Sequence, residues 1–131
     1  MASVSAEGRL AGRIALVTGA SRGIGAAVAK RFAAEGAHLV LVARTQGGLE
    51  EVDDAIRETA GIKADEDGAT LVPLDLTDYE AIDRMGAALY ERFGRLDVLV
   101  GNAAILGELS PVGHIEPEDW EIGRASCRER V

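Results

Sequence analysis

Cysteine is nearly absent from this sequence of 131 residues: Cys127 stands alone, so no disulfide can close within the chain and no thiolate cluster can hold a metal. Lysine is almost as scarce, represented by Lys30 and Lys63, and the other basic residues are arginines scattered until the far end of the chain. Twenty-two acidic residues outweigh 14 basic ones, giving a formal charge of −8. Phosphate-backbone recognition needs Lys and Arg gathered on one face, so no nucleic-acid partner is expected. No apolar run approaches the ~20 residues of a spanning helix, and residues 1–12 lack the apolar centre of a secretory signal. The expectation is a cytoplasmic protein with no membrane partner, in a compartment where its thiol stays reduced. What the chain does have is apolar content, 47%, enough for the packed core of one domain and too short a length for two.

Apolar runs alternate with amphipathic segments. Ile14-Ala15-Leu16-Val17 has no polar alternation, as expected of a strand buried on both faces. Ile24, Val28 and Phe32 then recur at helical spacing until Gly36, and Leu39-Val40-Leu41-Val42 forms a second buried run. Leu49, Val52 and Ile56 mark one face of a second helix that closes near Gly61, with Glu50, Glu51, Asp53 and Asp54 on its wet face. An acidic loop, 64–68, leads to a third strand, Thr70 to Leu74, which Pro73 shortens. Thr77 and Glu80 form a capping-box pattern ahead of the stripe Ile82, Met85, Leu89 and Phe93, and Gly94 ends that helix. Leu96 to Val100 is the fourth strand, and Pro117 suits the first position of another helix. Strands separated by helices mean right-handed crossovers, hence an α/β fold with a parallel sheet and helices on both faces.

The turn after the first strand carries the chemistry. Thr18-Gly19-Ala20-Ser21-Arg22-Gly23-Ile24-Gly25 places three glycines where strand becomes helix. One glycine permits the tight turn, one lets backbone approach a pyrophosphate, and one lets the helix pack close to the strand. The helix start offers unpaired N–H groups and partial positive charge to phosphate. The spacing resembles the T-G-x-x-x-G-x-G motif of the short-chain dehydrogenase/reductase family. Asp75-Leu76, after the third strand, is similar to that family's acidic residue that contacts adenine. Leu99-Val100-Gly101-Asn102-Ala103-Ala104 resembles its L-V-N-N-A-G segment, with Gly101 in place of the first Asn and Ala104 in place of Gly. Glu118-Asp119-Trp120 is similar to the opening of its next helix, so the resemblance runs over roughly residues 10–120.

That resemblance implies a Rossmann-like sheet of order 3-2-1-4, truncated after the fourth strand. It also implies an NAD(P)-dependent oxidoreductase interconverting a small carbonyl and an alcohol by hydride transfer, in a homo-oligomeric parent. The implied cofactor contacts are Gly19, Ser21, Arg22, Gly23, Ile24, Gly25, Arg44, Asp75, Leu76, Asn102, Ala103 and Ala104. The end of the second strand, Ala43-Arg44-Thr45, has no acid to grip ribose hydroxyls, while Arg44 and Arg22 suit a 2′-phosphate, so NADP is expected over NAD. Proton transfer in the family resembles the work of a Tyr with a Lys four residues later. Here Tyr79 is followed at that distance by Asp83 and Tyr90 by Gly94, so no catalytic residue is assigned and the chain is expected to be inactive. His38 is expected to pack, His114 to lie near the ligand edge, and neither has a partner at metal-ligand spacing. Residues 121–131 read as a translated sequencing adapter, leaving residues 1–120 as an incomplete dinucleotide-binding domain. Two rivals remain: a non-catalytic nucleotide-binding or interaction module of the same fold, and another nucleotide-binding α/β enzyme such as a methyltransferase.

Overall fold

The computed structural model describes residues 8–63, 65–104 and 111–118. The order is β1 (Ile14–Thr18), α1 (Gly23–Ala34), β2 (His38–Ala43), α2 (Gln46–Ala60), β3 (Thr70–Pro73), α3 (Tyr79–Phe93) and β4 (Val98–Val100), followed by a short 3-10 turn at Val112–His114. All strands are parallel, in the order β3-β2-β1-β4 expected from the sequence. Each register is fixed by the pleat: Ile14 faces His38, Ala15 faces Val98 and Val40 faces Thr70.

The missing polar alternation in β1 and β2 is explained by two cores. Ala15, Val17, Leu39 and Leu41 pack under α1 and α2 with Leu49, Val52 and Ile56. Leu16, Val40 and Val42, one residue out of phase, pack with Leu74 under the α3 side chains Ile82, Met85, Leu89 and Phe93. Both α2 and α3 end at glycines in the left-handed conformation, Gly61 and Gly94, whose N–H groups bond Arg57 and Tyr90 carbonyls.

Four local expectations are corrected. Thr77 does not cap α3: Asp78 is the N-cap and accepts the Ala81 N–H at 3.0 Å, because the Asp75 carboxylate has captured the Thr77 hydroxyl. Ile24 is not on the buried stripe of α1; it is 74% exposed, and Gly25, Ala26 and Ala29 form the covered face instead. Asp53 is not a solvated charge, since it accepts the Ala69 N–H at 2.8 Å and the Arg57 Nε–H at 3.0 Å, tying α2 to the start of β3. The β4 ladder begins at Val98 rather than Leu96, since the Asp97 carboxylate takes the Ile14 N–H at 2.8 Å. The helix expected from Pro117 is present at Pro117 and Glu118; its continuation, and residues 121–131, lie outside the described residues.

The second core is open on one side. None of the α3 residues is fully buried, and a groove of about 390 Å³ runs between α3 and the β1–β4 face, lined by Leu16, Leu76, Met85, Leu89, Tyr90 and Leu99. Tyr90 and Leu99 are 73% and 37% exposed.

At the opposite end of the sheet, His38 is half-buried, bonded through Nε2 to Thr70 Oγ1 at 2.9 Å and tilted against the Phe93 ring at 5.0 Å. Burial, aided by Arg92 and partly offset by Asp67, holds its pKa below the ordinary 6.5. The folded state therefore favours neutral imidazole. Its contribution is complete above pH 6.5 and is lost as the pH falls from there toward the folded-state pKa. Urea midpoints are expected to drop between pH 7.5 and 5.5, and His38→Gln to flatten that drop; an unchanged slope in the variant would assign the effect elsewhere.

Candidate functional site

Every residue expected to contact a cofactor lies beyond the carboxyl end of a strand. Gly19 to Gly25 follow β1, Arg44 follows β2, Asp75 and Leu76 follow β3, and Asn102 to Ala104 follow β4. In open α/β sheets this is the edge where ligands bind, where the order reverses around β1. The structure thus brings the separate sequence segments to one edge.

The glycine turn is built by steric exclusion. Gly19 has φ +63° and faces Asn102 and Ala103; a Cβ there would lie 2.9 Å from Asn102 Nδ2. Gly25 presses its α-carbon against the Gly19 carbonyl and Asn102, so any side chain would collide with backbone. Gly23 differs: its φ of +59° favours glycine, but the space its Cβ would enter is empty. Two glycines therefore close the turn on itself, and the third leaves the first turn of α1 open to solvent. Arg22 precedes that helix in an extended conformation and makes no side-chain cap, so the α1 amides are not covered by it.

Thr18 was not among the residues expected to matter, although it opens the motif. It is 2% exposed, the one buried polar side chain among the described residues. Its hydroxyl donates to the Val100 carbonyl at 3.3 Å and accepts the N–H groups of Asn102 at 3.1 Å and Ala103 at 3.0 Å. Asn102 returns the contact, its Nδ2 donating to the Gly19 carbonyl at 3.3 Å. The segment after β4 is thereby fastened to the turn after β1. The signal for this was available in principle: a threonine ending an apolar strand puts a hydroxyl where two chains diverge and ladder bonds stop.

The neighbouring turn is fastened as well. Ala20 N–H donates to the Val42 carbonyl at 3.2 Å, bringing the glycine turn beside the Ala43-Arg44-Thr45 corner. Gly48, in the first turn of α2, sits so close that a Cβ would lie 2.9 Å from Ser21 Cβ. Thr45 begins α2 without a side-chain cap, and Arg22 and Arg44 are both exposed on this edge. Asp75 is exposed too. Two hydrogen bonds from Thr77 hold its carboxyl below the usual carboxylate range, with Arg44 adding a smaller attraction. His114 lies exposed in the 3-10 turn, its N–H bonded to the Pro111 carbonyl. No group of three metal-ligating side chains occurs among the described residues, and no helix among them is long and apolar enough to cross a membrane.

Parallel sheet, order and glycine turn together define a Rossmann-like α/β protein. The family model for short chain dehydrogenase matches residues 13–122. The chain is 41% identical over 113 residues to galactitol 2-dehydrogenase of Agrobacterium fabrum, covering 86% of this chain and 40% of that protein. Its fold is similar to a metagenomic short-chain oxidoreductase solved in complex with NADP, with TM-score 0.78, 35% identity, and coverage of 89% and 50%. It is likewise similar to NAD+-bound xylitol dehydrogenase, with TM-score 0.75, 30% identity, and coverage of 89% and 43%. The chain belongs to the short-chain dehydrogenase family of oxidoreductases. It spans less than half the length of the curated relatives it matches.

The Thr18 junction yields a stability prediction. Thr18→Val keeps the shape but leaves the Ala103 N–H without its acceptor in a covered site, a loss of about 1–3 kcal/mol. Thr18→Ser keeps all three bonds and loses a methyl, about 0.8 kcal/mol. Urea unfolding of the two variants measures the order; a serine variant as weak as the valine one would mean packing, not hydrogen bonding, holds the junction.

Proposed function

We propose that this chain is the cofactor-holding part of an NADP-dependent oxidoreductase that interconverts a small carbonyl compound and its alcohol. The observation that carries the reading is the tight turn at the carboxyl end of β1, where Gly19 and Gly25 leave no room for a Cβ and the α1 start at Gly23 has no side-chain cap. A diphosphate fits there because the exposed start of α1 supplies N–H donors and the glycine side-chain space is empty. Ser21 and Ile24 belong to that turn and helix start, while Leu76, Ala103 and Ala104 lie at the edge toward β3 and β4.

Arg44 and Arg22 favour the phosphorylated dinucleotide. Both are exposed beside the end of β2, and no acid stands at the Ala43-Arg44-Thr45 corner to repel a 2′-phosphate. A guanidinium pairs with phosphate through two parallel N–H donors, which an isolated ribose hydroxyl does not reward equally. Asp75 accepts a hydrogen bond from the adenine amine, and the Asn102 segment, held by Thr18, bounds the site toward the nicotinamide end.

The bound cofactor supplies the hydride; the residues described here bind and orient it. Neither Tyr79 nor Tyr90 is followed at four residues by a lysine, so no proton-transfer role is assigned within this chain. The reading is of a binding unit that does not turn over alone.

Fluorescence titration of the chain checks the cofactor. NADPH is expected to bind at least tenfold more tightly than NADH, and Arg44→Ala to shrink that ratio by roughly tenfold, the worth of one charge-assisted contact. Tighter binding of NADH would overturn the assignment of Arg44.

A further inference from the structure

The loop between β3 and α3 contains a side chain whose placement differs from its expected use. Thr77 lies where a helix cap was predicted, yet Asp78 performs the capping. The Thr77 hydroxyl instead donates to Asp75 Oδ1 at 2.8 Å, and its backbone N–H donates to the same oxygen at 2.9 Å. Asp78 N–H bonds the Asp75 carbonyl at 2.9 Å, closing the turn around that residue. Two donors thus converge on one carboxylate oxygen. Among the described residues no hydrogen bond is made to the other, Oδ2.

This asymmetry matters for an exposed aspartate. A carboxylate in water ordinarily turns about its side-chain bonds and must be immobilised when a ligand binds. Here the Asx-type turn holds Oδ1 through the Thr77 N–H, and the Thr77 hydroxyl adds a second anchor on the same oxygen. With Oδ1 anchored twice, rotation of the carboxyl plane is restricted and Oδ2 is left free to accept. The bonds also favour the ionised form, which their effect in lowering the Asp75 pKa reflects. Asp75 stands one residue past Leu74, whose N–H donates to the Ala43 carbonyl at 2.8 Å, so Asp75 adjoins the corner bearing Arg44.

We propose that Thr77 is a positioning residue for adenine recognition, its hydroxyl and N–H locking Asp75 Oδ1 so that Oδ2 is preset to accept the exocyclic amine. The inference rests on the cofactor reading above and adds to it a residue that touches no cofactor atom itself. Specificity arises because a fixed acceptor rewards an N–H donor and opposes a carbonyl oxygen at the same place, whereas a freely turning carboxylate adjusts.

The test compares NADPH with reduced nicotinamide hypoxanthine dinucleotide phosphate, whose base carries an oxygen in place of the amine. Both are titrated into the full chain and into Thr77→Val and Thr77→Ser. The original chain is expected to prefer NADPH. Thr77→Val is expected to weaken NADPH binding roughly three- to tenfold, as immobilising one side chain would, while hypoxanthine-nucleotide binding stays within about twofold. Thr77→Ser, which retains the hydroxyl, is expected to restore the preference. Equal weakening toward both nucleotides would show a loop-folding role and overturn the proposal, as would an unchanged preference in Thr77→Val. Equal binding of the two nucleotides by the original chain would overturn it while leaving the cofactor reading intact. Binding of neither would defeat the cofactor reading itself.

Discussion

The Thr18 hydroxyl holds together two stretches of chain that would otherwise part. Strands β1 and β4 are neighbours in the sheet but 80 residues apart in sequence, and their ladder stops at Val17 and Val100. Beyond that point backbone N–H groups need new acceptors, because an unpaired buried N–H is costly. Thr18 supplies one for Asn102 and Ala103, and Asn102 in turn secures the Gly19 carbonyl. The glycine turn is therefore a closed structure: Gly19 has no room for a side chain against Asn102 and Ala103, nor Gly25 against the Gly19 carbonyl and Asn102. The start of α1 at Gly23 is held in place through that closure. Preorganised donors require no rearrangement when an anion arrives, which is what a diphosphate site needs.

The same strand pair is secured at its other end by a carboxylate acceptor rather than by a hydroxyl. Asp97 accepts the Ile14 N–H and the Arg95 Nε–H at 3.0 Å, with Arg13 nearby at 4.0 Å, and Arg95 reaches the Gly12 carbonyl. The arginines are exposed, so the ion pairs contribute little by themselves; the carboxylate earns its place as a ladder acceptor at the strand entrance. β4 thus has few ladder partners and two side-chain fastenings. Its register, and with it the position of Asn102 across from Gly19, is overdetermined despite a strand of only three residues.

The strands and their burial on both faces were legible because buried parallel strands write themselves as unbroken apolar runs, while their order came with the family resemblance; the division into two cores, Leu16 on one side and Val17 on the other, follows from the pleat. Asn102 and Gly19 belong to separate motifs in the sequence, and the hydrogen bond between them forms only once β1 and β4 lie side by side. Thr77 was misread because Thr-x-x-Glu is a capping pattern in isolation, and sequence does not reveal that Asp75 offers a stronger, ionised acceptor two residues earlier. Ile24 fitted the helical period yet points outward, since close approach of Gly25 and Ala26 to the strand rotates the covered face of α1 toward small residues. Asp53 looked solvated because the Ala69 N–H reaches it only once the segment before β3 packs on α2, although Arg57 stands one helical turn away on α2 itself. The glycine turn itself was thus easier to locate than the contacts that hold it rigid.

The account stands or falls on whether a dinucleotide diphosphate occupies the turn between β1 and α1. Residue-resolved amide NMR of the isotope-labelled chain, followed as NADPH is added, tests this directly. The largest shift changes are expected at Gly19, Ser21, Gly23, Ile24 and Gly25, with smaller ones at Asn102 and Ala103. Changes confined to the apolar groove beside α3, with the glycine turn undisturbed at saturating nucleotide, would contradict it.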